Sequence, residues 1–272
     1  MTTRQGKKTE LVSVHHTAEV DPHAELDTGV VVGPYCVVGP EVRIGGGTVL
    51  DAHAMVMGNT TLGRNNRLHS HSVVGGPPQL LKDLGRDVGL VIGDNSTFRE
   101  FVTVNTGTEL GGGPTRIGNH CLFMACSHVA HDCVLGDHVE LVNNALLAGH
   151  IHVRDRAIVS GGAAMHHWVT VGTLAFVGGL SRIVQDVPPY MIVEGNPSKV
   201  RGINMVGLRR NGCSEETIQT LKKAHRLIYR SQLTRKEALD QLEEGKVIPE
   251  VACLCAFVRK SLAGKQGRAR QP

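Results

Sequence analysis

The chain has 272 residues, a net charge of +4, 33 glycines and only 3% aromatic residues. This small positive excess does not indicate nucleic-acid binding, and the absence of any run of about 18 apolar residues excludes a predicted membrane span. The first 11 residues lack the apolar segment of a secretory signal, so we expect a cytoplasmic protein with seven reduced cysteines. Hydrophobic residues make up 41% of the chain, so they must form a core with few rings.

Aliphatic residues recur at every sixth position along most of the chain. The period runs from Val14 to Val74, restarts at Ile92, and continues from Ile117 to Ile183. A six-residue period predicts a parallel β-helix in which three short strands form one coil of about 18 residues. Each inward aliphatic side chain would stack on its equivalent about 4.8 Å away in the next coil. Such a core needs medium-sized aliphatic and small residues, which explains the scarcity of aromatics.

Two stretches rich in glycine and proline interrupt the period. They predict loop insertions at 75–91 and 105–116 within a β-helix that spans 12–190, after a flexible N-terminus at 1–11. Long loops on a rigid repeat scaffold often carry function.

Helical spacing replaces the six-residue period after residue 190. Ser214 predicts the N-cap of a helix Glu215–Arg230, and Thr234 with Glu237 forms a capping-box pattern before the next helix. A third helix is predicted over Glu250–Leu262. We therefore expect a C-terminal α-helical domain at 191–264, followed by a basic, frayed tail at 265–272.

Eight of the fifteen histidines lie between His120 and His167. Residues 18 apart should lie above one another in successive coils, which gives two adjacent columns: His131, Gly149 and His167, and Asp132, His150 and Trp168. An imidazole can act as a general base near neutral pH, and a glycine N–H left uncovered can bind an oxyanion. The columns therefore favour acyl transfer to a hydroxyl.

Metal binding is the main competing interpretation of the histidines. Three pairs of histidines have a spacing that would suit metal ligands: His128-x-x-His131, His69-x-His71 and His150-x-His152. Carbonic anhydrases of the β-helix type use two histidines five positions apart, and this sequence has no such pair. A purely structural scaffold fits the repeats but leaves the columns and the two loops unexplained.

Four segments resemble the UDP-N-acetylglucosamine acyltransferases of lipid A synthesis. They are HVAHDCVLGDHVELVNNALLAGHIHV (128–153), SRIVQDVPPYMIVEGNP (181–197), GINMVGLRRNG (202–212) and RLIYRS (226–231). The resemblance covers about residues 10 to 265, including both insertions. It implies a mainly β fold, a left-handed parallel β-helix of hexapeptide repeats, which assembles as a homotrimer with active sites between subunits.

The resemblance also implies the reaction, the first step of lipid A biosynthesis. An (R)-3-hydroxyacyl chain would move from acyl carrier protein to the 3-hydroxyl of UDP-N-acetylglucosamine, with no cofactor and no metal. The implied partners are thus acyl carrier protein, the sugar nucleotide and further copies of the chain, with neither nucleic acid nor a membrane span.

The family pattern assigns roles to individual residues of this sequence. By resemblance, His131 is the general base, Asp132 orients it, and the Gly149 N–H holds the oxyanion. The positions that match substrate-binding residues are Gln79, Lys82, His128, His150, His166, Gly179, Asn204 and Arg210. Within this set, Gly179 matches the position that sets acyl-chain length, and Asn204 and Arg210 match nucleotide contacts.

Four positions depart from the family pattern. Leu80 replaces an Asp, Val206 a Glu, Asn211 the second Arg of a pair, and His167 a Gln. A different acceptor, such as a 3-amino UDP-sugar, and a different acyl length therefore stay open. The alternative from another class is a non-catalytic β-helix binding protein.

Overall fold

The computed structural model describes residues 11–81 and 87–272, and short parallel strands form most of it. The strands are β1 (Ser13–Val14), β2 (Glu19–Val20), β3 (Glu25–Leu26), β4 (Val31–Val32), β5 (Val37–Val38), β6 (Arg43–Ile44), β7 (Val49–Leu50), β8 (Met55–Val56), β9 (Thr60–Leu62), β10 (Arg67–Leu68), β11 (Val73–Gly76), β12 (Asp87–Ile92), β13 (Thr97–Phe98), β14 (Thr103–Asn105), β15 (Gly107–Thr108), β16 (Thr115–Ile117), β17 (Leu122–Phe123), β18 (His128–Val129), β19 (Val134–Leu135), β20 (Glu140–Leu141), β21 (Leu146–Leu147), β22 (His152–Val153), β23 (Ile158–Val159), β24 (Ala164–Met165), β25 (Thr170–Val171), β26 (Phe176–Val177), β27 (Arg182–Ile183), β28 (Met191–Gly195) and β29 (Ser198–Ile203).

Every third strand pairs in parallel, which produces the three sheets of a β-helix. The first sheet runs β1-β4-β7-β10-β13-β17-β20-β23-β26-β28-β29, the second runs β2-β5-β8-β11-β14-β18-β21-β24-β27, and the third runs β3-β6-β9-β12-β16-β19-β22-β25. In a regular coil, Val31 pairs with Val49 and Val49 with Arg67. The predicted coil of three strands and 18 residues is confirmed.

The core lies along the axis of this helix, because the last residue of each two-residue strand points inward. Positions of the six-residue series are buried from Val32 onward, and small residues such as Ala145 and Ala163 fill the corners. The core includes two aromatic side chains from the series, Phe98 and Phe123, which stack on neighbouring coils with ring centroids 4.7 Å apart.

Both interruptions of the period are insertions at the same side of the helix, but parts of them are strand. β12 begins at Asp87 and pairs with β9 and β16, so the predicted loop 75–91 contains a strand at its C-terminal end. In the second insertion, β15 pairs with β12 in the antiparallel direction.

The C-terminal region begins with a hairpin that continues the first sheet. β28 pairs in parallel with β26, and β29 returns antiparallel to β28. The helices that follow are α1 (Met205–Arg210), α2 (Glu215–Arg230), α3 (Arg235–Glu243) and α4 (Pro249–Ala263). They enclose a second apolar cluster with Tyr190 and Met191 of the last coil. Within the described residues, no helix has the length and apolarity needed to cross a bilayer.

The two predicted N-caps hold in atomic detail. The Ser214 side chain accepts a hydrogen bond from the Thr217 backbone at the start of α2. Thr234 and Glu237 form both bonds of a capping box at the start of α3.

Residues 265–272, expected to be a frayed tail, instead lie against the last coils. The Asp186 N–H donates to the Gly267 carbonyl at 2.8 Å, and the guanidinium of Arg268 donates to the Val184 carbonyl. Arg268 is only 3% exposed. A buried guanidinium requires partners for its donors, and these carbonyl and amide partners fix the path of the tail.

Candidate active site

His131 and Asp132 lie at the corner between the second and third sheets. Both are buried, with 5% and 7% of their surface exposed. The His131 Nδ1–H donates to the Asp132 Oδ2 at 2.6 Å. Because that bond fixes the proton on Nδ1, the lone pair of the ring lies on Nε2, where a neutral imidazole accepts a proton.

The second insertion holds the Asp132 carboxylate. The Thr108 N–H donates to Oδ1 at 2.7 Å, and the Thr108 hydroxyl donates to Oδ2 at 2.9 Å. A Cβ at Gly111 would lie within 2.3 Å of the carboxylate, so only glycine allows this approach. Burial alone would raise the pKa of Asp132, but the hydrogen bonds from His131 and Thr108 outweigh it and lower the pKa.

Gly149 lies directly above His131 in the next coil, as the column predicted. A Cβ at Gly149 would lie 2.5 Å from His131 Cε1 and 2.6 Å from Nε2, so a side chain here would collide with the imidazole. Within the described residues the Gly149 N–H donates no backbone hydrogen bond, whereas the neighbouring Ala148 and His150 N–H groups do. Gly149 is the residue that faces the His131 ring, and in the part of the chain that the structure describes its N–H has no backbone acceptor, so it is available to an oxyanion.

A cleft of about 350 Å³ opens next to these groups. Of the predicted residues, Gln79, His128, His131 and Gly149 line it. Its apolar lining consists of Leu80, Ala130, Leu146, Leu147, Ala148, Ala164 and Met165. The cleft is thus polar at His131 and apolar along the neighbouring strands, as an acyl chain requires.

Asn105 and His167 also line the cleft, although neither was predicted as a site residue. Asn105 donates to the Pro77 carbonyl at 2.9 Å, and its buried Oδ1 has no hydrogen-bond partner among the described residues. His167 belongs to the predicted column, and burial is the main cause that lowers its pKa. Column position was the signal that could have identified His167.

His128 and His150 flank the dyad on opposite sides. His128 Nδ1 lies 2.7 Å from the Thr103 hydroxyl, and burial, followed by the charge of His131, lowers its pKa. His150 stacks on Trp168 with ring centroids 4.0 Å apart and an interplanar angle of 1°. Burial is the main cause that lowers the pKa of His150 to about 4.

Six of the predicted site residues that the structure describes do not line this cleft. Asp132 and His150 contact His131, which does line it, and the other four are His166, Gly179, Asn204 and Arg210. His166 is exposed, and its ring contacts the His167 carbonyl. Gly179 is exposed and lies one coil beyond Gly161, so an added Cβ would lie 3.3 Å from the Gly161 carbonyl.

Asn204 and Arg210 lie on the C-terminal region instead. Asn204 is buried as the N-cap of α1, donates to the Leu174 carbonyl and accepts from the Gly207 N–H, while Arg210 is exposed at the end of α1. Lys82 lies outside the described residues.

Within 11–81 and 87–272, three residues form a cluster that could hold a metal ion, and they belong to this same site. They are His131, Asp132 and His150, whose ligand atoms lie within 4.8 Å of one another. The hydrogen bond between His131 and Asp132 uses two of these atoms, so the geometry favours an acid–base dyad. The arrangement contains a base, an orienting carboxylate, the Gly149 N–H and an apolar lining, which together suit acyl transfer to a hydroxyl.

Two family models match this chain. The model for UDP N-acetylglucosamine O-acyltransferase, domain 2, matches residues 186–267. The model for the bacterial transferase hexapeptide, with six repeats, matches 41–76 and 114–149.

Relatives match over nearly the whole chain. A protein from Anaeromyxobacter named acyl-acyl-carrier-protein–UDP-N-acetylglucosamine O-acyltransferase is 48% identical over 93% of this chain and 99% of its own. One of the same name from Thermodesulfovibrio yellowstonii is 42% identical over 94% and 99%. The solved structure of LpxA from Acinetobacter baumannii, 41% identical, superimposes with a TM-score of 0.85 over 90% of this chain and 95% of that one. On this evidence the chain belongs to the UDP-N-acetylglucosamine O-acyltransferase family.

Proposed function

We propose that this chain transfers an (R)-3-hydroxyacyl group from acyl carrier protein to the 3-hydroxyl of UDP-N-acetylglucosamine, with His131 as the general base. The observation that carries the proposal is the 2.6 Å bond between His131 Nδ1 and Asp132. It leaves Nε2 close to Gly149, whose N–H donates no backbone hydrogen bond within the described residues. Base, orienting group and oxyanion donor thus come from two neighbouring coils.

The reaction follows from these positions. Nε2 of His131 takes the proton of the sugar 3-hydroxyl while its oxygen attacks the thioester carbonyl carbon. The Gly149 N–H donates to the oxyanion of the tetrahedral intermediate, and Asp132 stabilises the imidazolium. When the intermediate collapses, the C–S bond breaks, and the imidazolium returns its proton to the thiolate of the carrier.

The remaining residues would bind the two substrates. Gln79 and His128 line the cleft, and we assign them to the sugar together with His150, His166 and, outside the described residues, Lys82. Gly179 would set the end of the acyl groove.

Arg210 would contact the nucleotide in a homotrimer, and Asn204, which the resemblance assigns to the same contact, would act through α1. They do not line the cleft within one chain, so α1 of a neighbouring subunit would have to close it. The buried Asn204 amide then acts by holding the start of α1, whereas the exposed Arg210 guanidinium is available to a diphosphate.

The proposal places the chain in the cytoplasm, at the first step of lipid A biosynthesis. It divides the chain into the β-helix at 12–190, with its insertions, and a C-terminal region at 191–264, which begins with the β28–β29 hairpin and continues as helices.

The experiment that tests the function is product identification by mass spectrometry. The chain is incubated with 3-hydroxyacyl-carrier-protein donors of graded length and either UDP-N-acetylglucosamine or its 3-amino analogue. We expect an ester product with the first acceptor. An amide product from the amino sugar alone would replace the proposed acceptor, and acylation of neither would refute the function.

A further inference from the structure

The C-terminal tail, residues 265–272, is anchored next to the catalytic corner. The Asp186 carboxylate accepts from the Ala269 N–H at 2.8 Å and from the Thr170 N–H at 2.7 Å. One carboxylate therefore ties the tail to the coil that follows the site, and the next tail residue is Arg270.

Arg270 contacts the outer side of the active site. Its Nη1–H donates to the His150 carbonyl at 2.7 Å, and its guanidinium carbon lies 5.7 Å from the centroid of the Trp168 ring. Trp168 in turn stacks on the His150 ring. A guanidinium within about 6 Å of an indole is attracted to the ring, so Arg270 contacts the stack at the Trp168 ring and at the backbone of His150.

The His150 ring lies against the His131–Asp132 dyad. It meets His131 edge-on, with centroids 5.0 Å apart, and its Nδ1 lies 3.7 Å from Asp132 Oδ2. A protonated or rotated His150 would compete with His131 for this oxygen. The orientation and the charge of His150 therefore decide which imidazole the Asp132 carboxylate serves.

We propose that Arg270 is a positioning residue, which holds the Trp168–His150 stack so that the Asp132 carboxylate serves His131. The inference rests on the acyl transfer proposed above, with His131 as the base. It concerns a residue beyond the family model, whose match ends at 267.

The Arg270 charge also acts on the protonation of His150. Burial is the main cause of its low pKa; Asp132 raises the pKa, and His131, His167 and Arg270 lower it. Arg270 contributes least among the charges that lower it, so removal of the Arg270 charge shifts the pKa of His150 slightly upward. His150 would then gain a proton at a higher pH than in the parent chain.

Trp168 provides a direct readout, since it is the only tryptophan of the chain. A protonated imidazole in contact with an indole quenches its emission. Because the pKa of His150 is lowered to about 4, we expect quenching of the parent emission only in the acidic range. In Arg270→Ala, the quenching midpoint should move upward, and kcat should fall about tenfold, less than the 10²–10⁴-fold lost with a general base.

Two further variants separate positioning from general stability. Arg270→Lys keeps the charge and a donor, so it should restore the parent emission curve and most of kcat. Lys265→Ala also removes one charge from the tail. Lys265 donates to the Pro272 carbonyl and not to His150, so this variant should behave as the parent. Melting temperatures of all variants are measured alongside.

Parent-like emission curves and kcat in Arg270→Ala would overturn the inference. A lower melting temperature with an unchanged emission midpoint would also overturn it, since the tail would then act by stability alone. The emission titration needs no turnover, so a parent chain that acylates no sugar refutes the proposed function, whereas the titration still decides whether Arg270 controls His150.

Discussion

His131 is the residue whose removal should cost most activity, because among the imidazoles of the described residues only its Nδ1 is hydrogen-bonded to the Asp132 carboxylate, at 2.6 Å, whereas His150 Nδ1 lies 3.7 Å away. We expect His131→Ala to lower kcat by about 10²–10⁴-fold with the fold intact. The measurement is acyl transfer followed by mass spectrometry, with circular dichroism as the check on folding. His138→Ala is the matched control, since His138 is an exposed corner histidine on another side of the coil. Activity within a few-fold of the parent would remove His131 from the mechanism.

Asp132→Asn should cost less than His131→Ala, because Asp132 orients the base and does not transfer the proton. The substituted amide can still accept a hydrogen bond from His131 Nδ1, but it has no charge to stabilise the imidazolium. The two variants are compared by single-turnover rates at one pH. An equal or greater loss in Asp132→Asn would assign the proton transfer differently.

Thr108 should control the pH at which Asp132 loses its charge. The lowered pKa of Asp132 means that its pairing with His131 is present above that pKa and is lost as the pH falls through it. Thr108→Val removes the hydroxyl donor, so the pKa rises and activity is lost at a higher pH. The pH profile of kcat/KM measures this shift.

Thr108→Ser keeps the hydroxyl and serves as the control for Thr108→Val. It should show the parent profile. If the valine variant shows that profile too, the backbone N–H of Thr108 suffices to hold the carboxylate.

The approach of Gly149 to His131 could be predicted from spacing, because residues 18 apart must share a column in a regular β-helix, whereas the pairing of His131 with Asp132 came from the resemblance. The role of Thr108 could not be predicted from spacing, since Thr108 lies in an insertion whose path depends on contacts with Asp132 and β12 and not on a period. For Asn204, the resemblance suggests a contact with the ligand, whereas in the structure its buried amide caps α1.

At the scale of elements, the corner that carries Gly179 should set donor length. An added side chain has room there apart from a 3.3 Å approach to the Gly161 carbonyl, so Gly179→Met should fold. Each buried CH₂ contributes about 0.8 kcal/mol, or roughly fourfold in selectivity per carbon. We expect the glycine to favour long 3-hydroxyacyl donors and the methionine variant to favour shorter ones. The measurement is kcat/KM across a donor series, and an unchanged optimum would place the ruler elsewhere.

Helix α2 presents a basic face that suits an acidic carrier protein. Lys223 and Arg226 are exposed, and Lys222 is half-buried beside them. Reversal of all three to Glu should raise the KM for the acyl-carrier-protein donor and leave the KM for the UDP-sugar unchanged, because exposed charges act mainly on association. The difference between parent and variant should shrink with salt, since the Debye length is about 8 Å at 0.15 M.

A charge-matched variant with Lys236, Lys246 and Arg64 reversed controls for net charge. All three are exposed and lie outside α2. Equal donor KM values and equal salt slopes in the parent and the α2 variant would move the docking site away from α2.

The elements differed in how well their sequence specified them. α2 was predicted to the residue because a cap, a first-turn acidic pair and an apolar face coincide. α1 and the β28–β29 hairpin were missed, since six residues that include Gly207 give little helical signal. The tail was expected to fray because its anchors, Asp186 and Val184, lie far away in sequence.

For the whole molecule, we expect a homotrimer. The cleft opens outward beside the exposed side chain of Leu146, and Leu180 is 84% exposed on the corner near Gly179. Burial of such apolar groups between subunits would complete the cleft and stabilise the assembly. Sedimentation equilibrium should give three times 29.2 kDa. A stable monomer with full activity would contradict the shared site.

The coil of 18 residues also limits which insertions and deletions the chain can accept. Loss of one whole coil from the N-terminal part, such as 19–36, would shorten the rod and leave every later corner facing its original direction. Loss of a single six-residue unit would preserve the local pattern equally well, yet it would turn everything before it by a third of a revolution relative to His131. In the history of this fold, length should therefore change in steps of complete revolutions, and any other change should appear as a protruding loop.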